Sequence, residues 1–179
     1  MQPDYLCFQG PPVAHLKINE CIFTRHALTI STVLGSCVSV TMRHATTGFA
    51  GMCHCMLPES GRAAGDGGPC RFVDTAVVSL LERFKAKGVS AAYLEVKIFG
   101  GALSLQRERK QARALLDIVD VGKRNVITAR RELGRRGCVI RAEHVLGDRG
   151  RKVLFDTWSG EVRVRTLTAI EKDPPPFQG

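Results

Sequence analysis

The run STVLGSCVSVTMRHATTGFAGMCHCMLPE, from Ser31 to Glu59, holds two apolar segments separated by a short polar break. From Val38 to Met42 the side chains alternate, with Val38, Val40 and Met42 on one face and Ser39 and Thr41 on the other. That period of two predicts a half-buried strand. His44-Ala45-Thr46-Thr47-Gly48 interrupts the pattern, and Phe49 to Leu57 reads as a second strand stopped by Pro58. Together they form an antiparallel hairpin. With residues 44 to 47 as its loop, Arg43 lies opposite Gly48 and Cys37 opposite His54. Directly opposed side chains share a face with β-carbons about 4.5–5.5 Å apart, so a thiol meets an imidazole there. Cys53 and Cys55 point to the other face. A register slip of one residue would break the pairing.

The flanking sequence mixes strands and helices. Asp74 can cap a helix whose apolar residues Ala76, Val77, Leu80, Leu81 and Phe84 recur at helical spacing, with Gly88 where a C-terminal cap belongs. Ala91 to Phe99 returns to strand alternation with Leu94, Val96 and Ile98 inward, ending at Gly100-Gly101. Residues 103 to 120 read as a loop with partial helix, and Lys123 to Arg135 as a helix closed by Gly137. Strands follow at Cys138 to Val145, Lys152 to Asp156 and Val162 to Leu167, around the turn Trp158-Ser159-Gly160. Without a regular βαβ rhythm, the class expected is α+β, with mixed β-sheets and helices packed outside. Residues 13–170 are taken as one domain. Residues 1–12 and 171–179 are taken as tails, the latter holding Pro174, Pro175 and Pro176.

Composition narrows the class further. At 179 residues, 44% hydrophobic and 24% charged, the chain has the balance of a globular domain, not of a disordered or coiled-coil chain. No apolar run approaches a membrane span, so no membrane insertion is expected. The start MQPDYLCFQGPP lacks a basic end followed by an apolar run, so no secretory signal is read there. Seven cysteines without a regular framework then suggest reduced thiols and a cytoplasmic setting. The net charge of +9 points to an acidic partner, and residues 107–141 hold 11 Lys or Arg against four acids. Arg130, Arg131, Arg135 and Arg136 would crowd one side of a helix, which by default is a solvated face. Nucleic acid would account for the charge, but aromatics are only 6% and no binding motif is present, so it is not expected as a partner.

Of the chemistry-bearing groups, Cys37 and His54 stand out. An imidazole shifts a neighbouring thiol toward thiolate and can later protonate a leaving amine, which is the chemistry of amide attack through a thioester. Gly35 permits a tight turn, so the Cys37 amide nitrogen can help hold an oxyanion. Zinc at Cys53-His54-Cys55 is not expected, because no second C-x₂₋₄-C pair exists. Ser36 and Ser39 lack a G-x-S-x-G setting.

Five ordered blocks carry a resemblance: LGSCV (Leu34 to Val38), GMCHCMLP (Gly51 to Pro58), KIFGGA (Lys97 to Ala102), GKRN (Gly122 to Asn125) and GRKVLFDTWSGEV (Gly150 to Val162). Together, over about residues 18 to 167, the chain resembles the chemoreceptor glutamine deamidase family, CheD. The resemblance implies hydrolysis of specific receptor glutamines to glutamate and ammonia, with Cys37 as nucleophile and His54 as base. The family's third residue is a Thr six positions before the nucleophile that helps hold the His. Here that position is Ser31, preferred on spacing, with Thr32 beside it as the one-residue alternative. The resemblance implies methyl-accepting chemotaxis receptors as substrate, a CheC-type phosphatase as a further partner in organisms that have one, and no cofactor. A catalytically silent adaptor, favoured by the Ser31 departure, is the rival reading.

Overall fold

Among the described residues, nine strands build two stacked sheets, and two helices cover the outer side of one of them. The computed structural model describes residues 10–61, 68–103 and 121–168. The first sheet has the order β1-β3-β8-β9, from Val13–His15, Thr29–Leu34, Arg151–Asp156 and Val162–Thr166. The second runs β2-β5-β4-β6-β7, from Cys21–Thr24, Ala50–Cys55, Val38–Arg43, Glu95–Gly100 and Ile140–Val145. Pairs β1–β3 and β6–β7 are parallel and the rest antiparallel, so both sheets are mixed. The class is α+β, as the sequence predicts.

The second sheet is the middle layer, which changes what its strands bury. Val38, Val40, Met42, Cys53 and Cys55 face helices α1 (Val73–Lys85) and α2 (Val121–Arg135). Ala50, Met52 and Phe99 face Ile30, Leu34, Val153 and Phe155 of the first sheet. β4 is therefore buried on both faces, not half-buried, and its inward Ser39 hydroxyl donates to the Cys53 carbonyl.

The hairpin is present, with a different register. Arg43 pairs with Ala50 and Ser39 with His54, and the His44 amide donates to the Phe49 carbonyl. The loop comprises residues 45–48, displaced by one from the expected 44–47, because Gly48, at φ 73°, supplies the left-handed residue that turns the chain back. This displacement shifts the pairing by two residues. Parity survives, so His54 keeps its face; Cys37 loses its place opposite His54 and precedes the ladder.

Helix α1 starts with Phe72 at its cap, not with an Asp74 side chain. The Asp74 carboxylate instead accepts from Ser60 N, Ser60 Oγ and Thr75 N. The expected inward residues Leu94, Val96 and Ile98 are buried, after a 3-10 turn at Ala91–Tyr93. Helix α2 ends at the expected Gly137, at φ 72°. The reading of residues 103–120 falls, from 104 on, outside the described residues, as do most of the two tails.

At the Arg43 end the sheets are joined by polar contacts. Arg43 Nη1 meets Glu95 Oε2 at 3.2 Å, while its Nε and Nη2 donate to the Thr157 and Trp158 carbonyls. Lys97 Nζ donates to the Gly160 carbonyl at 2.7 Å.

Candidate active site

At the opposite end the chain crosses from β3 to β4 through Gly35, Ser36 and Cys37. Backbone groups hold this loop: Ala102 N donates to the Gly35 carbonyl at 2.9 Å and Gly101 N to the Cys37 carbonyl at 2.8 Å. The close seat depends on Gly100, at φ 105°, where a Cβ would stand 2.1 Å from the Cys37 carbonyl oxygen. Helix α2 presses on the same seam, since a Cβ on Gly122 would lie 2.7 Å from the Gly101 backbone. Cys37 is half-buried and packs against the layer between the sheets. Burial pushes its thiol above the ordinary value, opposed by its own backbone N–H.

His54 enters the same layer from β5 and is 6% exposed. Its Nδ1 lies 2.8 Å from Thr32 Oγ1, and Thr32 Oγ1 lies 2.8 Å from the Leu16 carbonyl. The carbonyl can only accept, so the one hydroxyl proton goes to Leu16. His54 must then donate from Nδ1–H, which leaves Nε2 with a bare lone pair. That Nε2 is buried and has no hydrogen-bond partner among the described residues. Burial lowers the His54 pKa, while the Leu16 carbonyl and Glu20 oppose the shift. The backbone of the Lys17–Glu20 turn closes over the residue, with Asn19 N donating to the His54 carbonyl and His54 N to the Glu20 carbonyl.

Cys37 and His54 thus face the interlayer at the end of the hairpin strands remote from the 45–48 loop. The third member is corrected: Thr32, not Ser31, touches the imidazole. Thr32 shares the inward face of β3 with Ile30 and Leu34, and strand alternation turns Ser31 to the outer face. Spacing from the cysteine does not reveal this; the alternation Ile30-Thr32-Leu34 would have. Asn125 was unassigned in sequence despite lying in the GKRN block. It is fully buried, and its Nδ2 donates to the carbonyls of Ser36 and Met56 at 3.0 Å each.

The other described thiols lie elsewhere. Cys53 and Cys55 face the helices. A thiol hydrogen bond from Cys70, opposed by burial and helped by Arg83, lowers Cys21 to about 6. Among the described residues, no cluster of His, Cys, Asp or Glu could hold a metal ion. The basic helix face is partly neutralised. Glu132 receives Arg131, Arg135 and Arg136; Arg131 also reaches Glu59, and Arg130 pairs with Glu143.

A thiol and an imidazole facing one inner layer, with the imidazole's Nδ1 tied to a hydroxyl, are the groups that thiol-dependent amide hydrolases use. Comparison with known proteins agrees with this class. The chain belongs to the family described as CheD chemotactic sensory transduction, whose pattern matches residues 56–166. Two relatives described as "Probable chemoreceptor glutamine deamidase CheD" are similar over nearly the whole chain. The one from Nitratidesulfovibrio vulgaris is 48% identical over 90% of this chain and 80% of its own length. The one from Oleidesulfovibrio alaskensis is 48% identical over 92% of this chain and 77% of its own length. A relative from Pyrococcus abyssi with the same description is 39% identical over 75% of this chain. The pattern match begins beyond Cys37 and His54; the alignments of the first two relatives are long enough to span both.

Proposed function

We propose that this protein is a chemoreceptor glutamine deamidase that works through Cys37. A receptor glutamine presents its side-chain carboxamide to the Cys37 sulfur. His54 Nε2 takes the thiol proton as the sulfur–carbon bond forms, and the carbonyl electrons move onto oxygen. Collapse of this intermediate breaks the carbon–nitrogen bond, and His54 returns its proton so that ammonia leaves. Water, deprotonated by the same Nε2, then attacks the thioester; glutamate is released and the thiol restored. No cofactor enters the scheme. Thr32 positions the base by holding its Nδ1 side.

The observation that carries this reading is the Thr32 hydrogen bond, which leaves Nε2 as the free base of a buried imidazole. It also removes the support that the Ser31 departure lent to a silent adaptor, because the hydroxyl comes from the next residue. The relatives' descriptions supply the substrate class. The reading implies a cytoplasmic site of action on the receptors and a CheC-type phosphatase as a partner. Among the described residues no helix is long and apolar enough to cross a membrane.

The test is mass spectrometry of the organism's chemoreceptors after incubation with wild type or Cys37→Ala. Glutamine-to-glutamate conversion with wild type alone is expected. Equal conversion, or none, with both proteins would overturn the assignment.

A further inference from the structure

The carbonyls of the crossing loop are held in two ways. Backbone amides take those of Gly35 and Cys37, whereas the Ser36 carbonyl between them is held by a side chain, the Asn125 amide. The second Asn125 Nδ2 proton goes to the Met56 carbonyl, two residues beyond His54. One buried amide therefore ties the nucleophile's loop to the base's strand. Its orientation is forced, because a flipped amide would set Oδ1 against two carbonyl oxygens. Oδ1 itself is buried and has no hydrogen-bond partner among the described residues. An uncompensated buried acceptor is costly, so this residue is kept for its two donors.

The Ser36 carbonyl and the Cys37 N–H belong to one peptide plane, and no peptide among the described residues is cis. In a trans peptide these groups point in opposite directions. Holding the carbonyl toward Asn125 aims the N–H away from it, and the hydrogen bond also polarises the peptide and strengthens the N–H as a donor. The Cys37 N–H also opposes the upward push that burial gives its thiol.

We propose that Asn125 is a positioning residue that fixes the Ser36–Cys37 peptide so that the Cys37 N–H receives the oxyanion. This rests on the deamidase reading above. When the sulfur attacks, the carbonyl oxygen becomes the negative end of a tetrahedral intermediate and accepts from that N–H; the charge returns to the carbonyl as ammonia departs. Asn125 touches no reacting atom. It acts through the peptide it holds.

The test compares wild type, Asn125→Ala and Asn125→Ser as full chains. Three quantities are read: receptor deamidation, Cys37 alkylation by iodoacetamide, and the Cys37 amide resonance in the NMR spectrum. Alkylation is a displacement that forms no oxyanion. Loss of a well-aimed oxyanion donor lowers kcat by about 10²-fold, so kcat should fall by about 10–100-fold in Asn125→Ala and by less in Asn125→Ser. KM should stay within about threefold and alkylation should fall far less than kcat, since neither substrate binding nor displacement at sulfur forms an oxyanion. Unchanged kcat, or alkylation falling in step with kcat, overturns the proposal. If Asn125→Ala fails to fold, Asn125→Ser decides on the same criteria. If wild type itself deamidates nothing, the functional reading falls; the clamp is then judged by the Cys37 amide resonance, and an unmoved resonance in Asn125→Ser overturns it.

Discussion

Thr32 has a single hydroxyl proton, and its donation to the Leu16 carbonyl sets the tautomer of His54. Thr32→Val keeps the shape but removes that proton and the acceptor for Nδ1–H. Misaligned bases cost about 10²–10⁴-fold, so kcat should fall by about 10²-fold, while Thr32→Ser retains most activity and Ser31→Ala stays near wild type. Steady-state ammonia release checks all three. The pH profile follows from burial. His54 must be neutral to take a proton, and burial favours its neutral form, so the acid limb of kcat/KM should fall below the ordinary imidazole value of 6.5. Burial also disfavours the Cys37 thiolate, so iodoacetamide alkylation should still be rising as pH passes 9.0, the ordinary thiol value. A thiolate plateau near neutrality would contradict this account of the resting pair.

Secondary-structure elements meet at the glycine seam of Gly100, Gly101 and Gly122. Gly122→Ala sets a methyl group within 3 Å of the Gly101 backbone, a contact that neither α2 nor β6 can yield cheaply. Overpacking of this kind costs about 1–3 kcal/mol, so the denaturation midpoint should drop, and deamidation with it, because Gly101 holds the Cys37 carbonyl. At this scale the sequence was legible in part. Helices α1 and α2 and strand β6 follow their hydrophobic periods, because each presents one apolar side to the core. Strands β1, β2 and β3 went unread. Thr29–Leu34 is buried at every position but Val33, so polar Ser31 and Thr32 sit inside and the apolar alternation is diluted. The hairpin's parity could be read from Val38-Val40-Met42, but its register rested on the left-handed turn at Gly48, a backbone preference that composition does not display. The same limit explains the site. Cys37 and His54 were readable as a pair sharing a face; the choice of Thr32 required the crossing of the two sheets.

For the molecule as a whole, the +9 charge is less bare than the sequence suggests, because three carboxylates engage the arginines of α2. Enough positive charge remains to draw in an acidic receptor surface, and added salt screens that attraction. KM for receptor should therefore rise with ionic strength while kcat holds, as turnover at increasing sodium chloride would show. The polar clamp of Arg43, Glu95 and Lys97 has a mechanical consequence. At about 3.3 Å per strand residue it lies about 20 Å along β4 from Cys37. At the Cys37 end Arg151 of β8 donates to the His144 and Leu146 carbonyls and Thr32 meets His54, so the two sheets are leaves stitched along both margins. Thermal separation of the leaves is then restrained at both margins, and the thiol and the imidazole lie at the one that Arg151 holds. Amide hydrogen exchange tests this: Arg151→Ala should speed exchange at the Cys37 end more than at Arg43 and Thr157, and Arg43→Ala should do the reverse. Sewn at both ends, the leaves keep the groups between them at a fixed spacing.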